Sequence, residues 1–234
     1  MESNYKILVA DDEPDILTLL EKALIQEGFK NIIKAKDGNE AAALCRQENP
    51  DAVILDIMMP GMDGYEVCKK IREFSLAPIL FLSSKNDEID KILGLAVGGD
   101  DYVTKPFSPK EVVYRIKAQL RRASYGNAAS SDPIRVGKLV IDPDRCEVRV
   151  DGRTAELTAR KYELLKTLAE NKGRVLSRER LYESVWGETA FGFDNTVMVH
   201  IRHLREKIEE DPNDPKYIIT LKGLGYKVVD PDER

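Results

Sequence analysis

The chain has 234 residues, of which 42% are hydrophobic, and a formal net charge of −5. This length suits two domains, and this hydrophobic content is enough for packed cores. No stretch approaches the ~20 consecutive apolar residues that a membrane span needs, and no secretory signal pattern opens the chain. The three cysteines, Cys45, Cys68 and Cys146, are far apart. They favour reduced thiols in a cytoplasmic protein over a disulfide framework or a zinc site.

Charge is distributed unevenly between the two halves. Residues 1–122 carry 17 Lys and Arg against 21 Asp and Glu, whereas residues 153–227 carry 14 against 12. The acidic balance of the whole chain argues mildly against a nucleic-acid partner. The second half can nevertheless present a basic face to DNA.

Short apolar runs alternate with amphipathic stretches in the first half. The runs are rich in Ile, Val and Leu with little polar alternation, which is typical of strands buried on both faces. Strand alternating with helix predicts an α/β domain with a doubly wound, five-stranded parallel sheet. The predicted strands are Ile7–Ala10, Asn31–Ala35, Ala52–Leu55, Pro78–Leu82 and Asp101–Val103, and the predicted helices are 13–27, 38–48, 63–73, 86–97 and 108–122.

Charged and hydroxyl side chains follow the predicted strands where each strand ends. Asp11 and Asp12 follow the first, Asp56 ends the third, Ser83 follows the fourth, and Lys105 follows the fifth. Because ligands bind beyond the carboxyl ends of parallel strands, we expect these groups to meet at one edge of the sheet. Clustered carboxylates need positive charge, and Mg2+ with the lysine ammonium would supply it. The set then suits phosphoryl transfer to a carboxylate.

Each of these residues also has an ordinary interpretation. Asp11 and Asp12 could begin a turn or cap the first helix, which is the simpler reading of that pair alone. Asp56 could be a loop acid, and Lys105 could be a solvated loop lysine. Coincidence is an improbable explanation for four strand ends that all carry a charged or hydroxyl side chain.

Three stretches resemble receiver domains of bacterial response regulators, which have a flavodoxin-like fold. They are Ile7-Leu-Val-Ala-Asp-Asp-Glu13, Val53-Ile-Leu-Asp-Ile-Met-Met-Pro-Gly-Met-Asp-Gly64 and Gly99-Asp-Asp-Tyr-Val-Thr-Lys-Pro-Phe107. The resemblance implies that Asp56 is the phosphoacceptor and that a sensor histidine kinase is the donor. The implied Mg2+ ligands are Asp11, Asp12, Asp56 and the backbone carbonyl of Met58. The implied contact and switch residues are Lys105, Ser83 and Tyr102.

Two features qualify the implied switch. Tyr102 could be a plain strand aromatic. Related receivers usually have alanine where this chain has Gly99, so the freer backbone there puts the tightness of the coupling in question.

The resemblance also implies a two-fold receiver homodimer, formed on phosphorylation through the fourth helix, fifth strand and fifth helix. Complementary charges across such an interface determine which partner binds more than how tightly it binds. The alternative is a solvated charged face without a partner. The implied pairs are Lys91 with Glu111, Asp100 with Arg115, and Asp101 with Arg122.

A small, polar stretch separates the two halves, so we predict a receiver at 1–122, a flexible linker at 123–133 and a second domain at 134–234. Strands, three helices and a final hairpin predict an α+β domain. Helices are expected at 158–171, after the cap Ser177, and from about Asp194 or Asn195 to Glu209. The hairpin strands are expected at Tyr217–Leu221 and Tyr226–Val229.

The last of these helices has an apolar stripe, Val197, Ile201, Leu204 and Ile208. Its other side is basic and hydrogen-bonding, which suits a major groove, although such faces are commonly just solvated. Two histidines at a spacing of three are weak support for a metal site. The candidate DNA-contacting residues are Asn195, Thr196, Val199, His200, Arg202, His203 and Arg205, with Lys222 in the hairpin turn.

Asn195–Lys207 and Lys222-Gly-Leu-Gly-Tyr226 resemble the winged-helix DNA-binding domain of the OmpR/PhoB subfamily. The implied partners are double-stranded promoter DNA, with direct-repeat half-sites, and RNA polymerase. Some relatives have arginine at His203, so a different base preference is expected. Val199–Lys207 is similar to regulators of vancomycin-type resistance.

Two other functions are alternatives to a phosphorylation-switched transcription factor. An aspartyl-phosphate phosphohydrolase of the haloacid-dehalogenase type carries a second Asp two residues after the nucleophile, where this chain has Met58. We therefore expect no enzyme. A constitutive DNA-binding protein with a vestigial receiver is disfavoured by the intact acidic set.

Overall fold

The computed structural model describes residues 3–84, 94–123, 132–187 and 194–233, with side chains at 4–84, 94–120, 132–187 and 196–233. The chain divides into two compact units, Met1–Leu120 and Arg121–Arg234. Most of the predicted linker (124–131) and most of the predicted helix at 86–97 lie outside the described residues, although 94–96 are helical. Within these ranges, no helix has both the length and the apolar character to cross a membrane.

The first unit is the predicted α/β sandwich. Its five strands are all parallel, in the order β2-β1-β3-β4-β5, with the chain crossing from β2 back past β1 to β3. The elements are β1 (Ser3–Ala10), α1 (Pro14–Gln26), β2 (Phe29–Ala35), α2 (Gly38–Glu48), β3 (Ala52–Asp56), α3 (Gly64–Arg72), β4 (Ile79–Ser83), β5 (Asp101–Thr104) and α4 (Pro109–Ala123).

The central strands are buried on both faces. Leu8 of β1 and Leu55 of β3 belong to one core, while Ile7 and Ile54 belong to the core on the opposite side of the sheet. Because side chains alternate along a strand, one run of apolar residues supplies both cores. This explains the unbroken Ile, Val and Leu runs of the sequence.

Local capping fixes where the helices begin. The carboxylate of Asp37 accepts a hydrogen bond from Glu40 N at 2.9 Å, and Asp63 accepts one from Glu66 N at 2.8 Å. These caps satisfy N–H groups that the first turn leaves unpaired. The first helix lacks a side-chain cap and begins instead with Pro14 at its first position. The boundaries of α1 to α4 fall within one or two residues of the prediction.

The second unit has a four-stranded antiparallel sheet, three helices and a two-stranded hairpin around one core. Ser177 accepts from Arg180 N at 3.2 Å, as its predicted capping role requires, and Leu176 and Leu181 pack in that core. The elements are β6 (Ile134–Val136), β7 (Leu139–Asp142), β8 (Glu147–Val150), β9 (Arg153–Thr154), α5 (Ala159–Glu170), α6 (Arg178–Trp186), α7 (Asp194–Ile208), β10 (Ile218–Leu221) and β11 (Gly225–Val228), with a 3-10 turn at Pro231–Glu233.

Candidate functional site

The carboxyl edge of the parallel sheet brings together residues that are far apart in sequence. Ala10 pairs with Leu55, so Asp11 and Asp56 leave neighbouring strands side by side. The backbone N–H of Lys105, just after β5, donates to the carbonyl oxygen of Ser83 at 2.6 Å. The sheet order therefore places two acids and one lysine at a single edge, as the strand-end pattern predicts.

An ammonium group bridges the carboxylates at this edge. Nζ of Lys105 lies 2.9 Å from Oδ2 of Asp11 and 3.1 Å from Oδ2 of Asp56. A third carboxylate, that of Glu13, lies 3.1 Å from the same Nζ. Glu13 was not among the predicted site residues. The only signal for it was its position directly after Asp11 and Asp12.

Burial makes this cluster electrostatically demanding. Asp11 and Asp56 are buried, whereas Asp12 is exposed. Burial, together with the neighbouring charge of Asp11, raises the pKa of Asp56 to about 6, although Lys105 pulls it down. Burial likewise raises the pKa of Asp11. Burial on its own would lower the pKa of Lys105, but the hydrogen bond to Asp11 and the charge of Asp56 raise it above its ordinary value.

The donor set fits a divalent cation. Asp11, Asp12 and Asp56 each offer an oxygen, and these oxygens lie within 4.8 Å of one another. Oδ1 of Asp56 is buried and accepts no hydrogen bond within the described part of the chain. One ammonium cannot balance three carboxylates, and carboxylate oxygens are what hard cations such as Mg2+ prefer. The acidic cluster can therefore hold a metal ion.

Helix α7 has the predicted buried stripe, since Val197, Ile201, Leu204 and Ile208 all lie in the core. The buried surface is wider than that stripe. The ring of His200 meets Trp186 of α6 edge-on, with ring centroids 5.0 Å apart. The ring atom Nδ1 of His200 lies 3.0 Å from the carbonyl oxygen of Thr196.

The prediction that Thr196, Val199 and His200 lie on the outer face of this helix is therefore wrong, because all three are buried. Packing against Trp186 of α6 covers His200. The side chain of Asn195 lies outside the described residues.

The exposed face of α7 is narrower than predicted. The side chain of Arg202 is 81% exposed and pairs with Glu206, Met198 is exposed, and His203 is half-buried. Lys222 is exposed in the turn between β10 and β11. Arg205, also predicted on the outer face, instead points its guanidinium at strand β10.

Comparisons with known proteins match both units. Residues 7–117 match the model of the response regulator receiver domain, and residues 152–228 match that of the C-terminal domain of transcriptional regulatory proteins. The transcriptional regulatory protein YvrH of Bacillus subtilis (strain 168) is 43% identical over 227 residues, which are 97% of this chain and 96% of that protein. The response regulator DrrB of Thermotoga maritima, an OmpR/PhoB homologue, is 34% identical, with a TM-score of 0.52 over 97% of this chain and 100% of that one.

The chain belongs to the OmpR/PhoB family of response regulators. A mutant of RitR is also similar, with 27% identity and a TM-score of 0.72 over 97% of this chain and 100% of that one. The protein is thus a DNA-binding transcriptional regulator of the two-component type. Its class implies DNA and a sensor kinase as partners. The narrower resemblance to vancomycin-type regulators stays a prediction.

The two switch candidates of this response regulator are both buried. Ser83 ends β4, and its carbonyl accepts from Lys105 N. Tyr102 of β5 pairs with Phe81 and packs in the core that also contains Val67 of α3. Met58 lies two residues after Asp56, and its side chain is 53% exposed.

The predicted dimer face of the response regulator differs from expectation at two acids. Asp100 and Asp101 were expected to be exposed, but both are buried. Oδ2 of Asp100 accepts from Arg72 Nη2 at 2.6 Å and from Ile79 N at 3.0 Å. The guanidinium of Arg72 also donates to the carbonyl oxygens of Gly98, Ser75 and Ala77. Asp100 therefore anchors β4 and the end of α3, a role that the sequence did not reveal.

Arg115 is also engaged within its own chain. It lies 3.2 Å from Asp101 and 3.0 Å from Glu111. Within its own chain Arg115 thus contacts Asp101 and Glu111, and its predicted pairing with Asp100 across a dimer stays a prediction. Lys91 and the side chain of Arg122 lie outside the described residues.

Proposed function

We propose that Asp56 accepts a phosphoryl group from a phosphohistidine of a partner sensor kinase. The observation that carries this proposal is that Nζ of Lys105 lies 2.9 Å from a carboxylate oxygen of Asp11 and 3.1 Å from one of Asp56 at the sheet edge. One carboxylate oxygen of Asp56 attacks phosphorus, an O–P bond forms, and the P–N bond to the kinase histidine breaks. Lys105 is already beside that carboxylate, so its ammonium can neutralise a phosphoryl oxygen.

Asp11, Asp12, Asp56 and the backbone carbonyl of Met58 would hold the ion, and Mg2+ is the hard cation that this oxygen set suits. When bound, Mg2+ supplies positive charge that offsets the charge developing on the transferred group. The orphaned Oδ1 of Asp56 supports this assignment. Asp56 must be ionised to attack, and the cation favours its ionised form.

Readout of the phosphoryl group uses Ser83 and Tyr102 in this proposal. The Ser83 hydroxyl can donate a hydrogen bond to a phosphoryl oxygen. Movement of the Ser83 hydroxyl would open space beside β5, and the ring of Tyr102 would turn into that space. Phosphorylation then favours a receiver homodimer through the face that includes Glu111 and Arg115.

We also propose that the site does not turn over as a hydrolase. A phosphatase of this type needs an acid two residues beyond the nucleophile, and the exposed thioether of Met58 cannot donate a proton. The phosphoryl group would therefore persist long enough to act as a signal.

The output is control of transcription in the cytoplasm, through contacts with RNA polymerase. We propose that the exposed face of α7, with Arg202 and His203, enters a major groove and that Lys222 reaches the adjacent minor groove. Direct-repeat half-sites about one helical turn apart, ~10–11 bp, are expected. We propose that the receiver spans 1–122, the linker 123–133 and the DNA-binding domain 134–234.

Intact-mass spectrometry tests the phosphoacceptor. Incubation with acetyl phosphate and Mg2+ should add one phosphoryl group to the wild type and none to Asp56→Asn. Asp51→Asn is the matched control, since Asp51 directly precedes β3 and Asp56 ends it. An adduct that survives Asp56→Asn would refute the assignment.

Genome-wide mapping of bound DNA tests the switch. Phosphodonor should increase occupancy of wild-type protein at a limited set of direct repeats and should not change that of Asp56→Ala. Equal occupancy by both proteins would favour a constitutive DNA-binding protein.

A further inference from the structure

Two polar side chains at the C-terminal end of α7, one in the helix and one directly after it, contact strand β10 and the two residues before it. Arg205 donates from Nε and Nη2 to the carbonyl oxygen of Ile218, at 3.1 Å and 2.6 Å, and from Nη2 to Oγ1 of Thr220 at 2.7 Å. The carboxylate of Glu209 accepts from the backbone N–H groups of Lys216, Tyr217 and Ile218, at 2.8 Å, 3.0 Å and 2.9 Å. Glu209 lies four residues after Arg205 and directly after the end of α7, so both side chains hold the same edge of the strand's beginning, through the N–H and the carbonyl oxygen of Ile218.

The far end of the hairpin is fixed against another element. Tyr226 and Leu176 exchange two backbone hydrogen bonds of 2.9 Å, just before the cap of α6. Gly225 fits there because a Cβ atom would lie 2.0 Å from the carbonyl oxygen of Leu176. The hairpin is thus held on strand β11 by the segment just before α6 and on strand β10 by the end of α7, and its turn, with Lys222, projects from this fixed base.

We propose that Arg205 is a positioning residue for DNA binding, which sets the wing relative to the recognition helix and does not itself contact phosphate. This inference rests on the proposed joint use of α7 and Lys222. A charged bidentate contact on a backbone carbonyl holds an angle better than a single bond does. Major-groove and minor-groove contacts can form together only if that angle is right.

Salt dependence separates positioning from direct contact. Each phosphate contact that is lost lowers the slope of log affinity against log salt concentration by about 1. A residue that acts through the geometry of its neighbours changes affinity at every salt concentration and leaves the slope in place. A change limited to fold stability would alter neither the slope nor the affinity of the folded protein.

The probe is a duplex that the phosphorylated wild type selects from a random library, with calf-thymus DNA as the non-specific probe. For Arg205→Met of the full chain we expect the affinity for the selected duplex to fall about 10–100-fold, the size expected when the hydrogen bonds of a charged group are lost. We expect an unchanged salt slope and little change on calf-thymus DNA. Arg202→Met is the matched control on the same helix, and it should lower the slope by about 1 and weaken binding to both DNAs.

Thr220→Val and Arg205→Lys supply second tests if Arg205→Met folds poorly. Thr220→Val should weaken selected binding only while Arg205 is present, so the two changes should be non-additive in a double-mutant cycle. Arg205→Lys keeps the charge but not the fork and should weaken selected binding with no change in slope.

The outcomes are distinguishable. A reduced slope for Arg205→Met, unchanged selected binding, or additive effects with Thr220→Val would each overturn the positioning role. If Arg202→Met and Lys222→Met both leave affinity and slope unchanged, the proposed DNA face fails instead.

Discussion

At the scale of single residues, one ammonium group is set against several acids. Lys105 contacts Asp11, Glu13 and Asp56, and two of these carboxylates are buried. The metal-free receiver therefore carries negative charge that its fold does not fully offset. Such a site lowers the stability of the metal-free fold, and it enables the receiver to bind a cation and a phosphoryl group.

The raised pKa of Asp56 makes the stability of the metal-free receiver depend on pH. Because its folded pKa of about 6 lies above the ordinary value of 3.8, the fold favours the protonated acid. Its stabilising contribution is present at low pH and is lost as pH rises through about 6. Asp56→Asn has no such loss. With allowance for solvent screening, we expect it to raise the free energy of unfolding of the metal-free receiver by about 1–2 kcal/mol at pH 7.5.

Urea denaturation at pH 4 and pH 7.5, in the presence of a chelator, checks this expectation. The gain should largely vanish at pH 4. Asp12→Asn, at the exposed acid of the cluster, should give a smaller gain. A gain for Asp56→Asn of equal size at both pH values would contradict the assigned protonation.

Gly99 illustrates a second residue-scale effect. A Cβ atom at Gly99 would lie 2.4 Å from the ring of Phe81, whereas one at Gly94 would lie 3.1 Å from Tyr65 and 3.2 Å from Phe81. The absent methyl thus makes room for a large aromatic on β4, and backbone freedom is not the reason for glycine here.

Gly99→Ala should destabilise the receiver by about 1–3 kcal/mol through overpacking, and Gly94→Ala by less. Phe81→Leu should relieve most of the clash, so the double variant Gly99→Ala/Phe81→Leu should be more stable than the sum of the single effects implies. Thermal unfolding of the three variants measures the coupling. Strict additivity would rule out the contact as the cause.

At the scale of elements, helix α7 has a wide buried side and a narrow exposed one. The apolar spacing predicted the stripe from Val197 to Ile208, since that pattern depends only on helical periodicity. It did not predict that His200 packs on Trp186, because contacts between α6 and α7 depend on how the helices cross. The predicted exposure of Thr196, Val199 and His200 was wrong, whereas their contact with DNA stays a prediction.

Two substitutions on α7 should distinguish its buried side from its exposed side by their effects on stability. His200→Ala should lower the free energy of unfolding of the DNA-binding unit by about 1–3 kcal/mol, since it leaves a space beside Trp186. Met198→Ala, on the exposed side, should change it by less than about 0.5 kcal/mol. Chemical denaturation followed by the fluorescence of Trp186 reports both. Equal effects would mean that the two sides are misassigned.

At the scale of the whole molecule, the proposed signal passes through a receiver homodimer. Asp100 is tied to Arg72, and Arg115 to Asp101, within one chain. Charge reversal can test the predicted pair of Lys91 and Glu111, and Glu111 also contacts Arg115 within its own chain at 3.0 Å.

Glu111→Lys should weaken dimerisation of the acetyl-phosphate-treated protein at least ~10-fold, because like charges then oppose each other. Lys91→Glu combined with Glu111→Lys should restore it. Glu73→Lys, an exposed acid at the end of α3, is the control and should have no effect. Sedimentation velocity measures the monomer–dimer equilibrium. A double reversal that stays monomeric would exclude this pair.

The sequence by itself determined the order of strands and helices, the helix start at the cap Ser177, and the set of residues at the sheet edge. These follow from periodicity, capping chemistry and strand ends, which are local or set by a known sheet geometry. Only the tertiary structure decided that Asp100 and His200 are buried, that Glu13 reaches Lys105, and that Arg205 faces β10. Those facts depend on which side chains meet between elements distant in the chain, and no local pattern encodes that meeting.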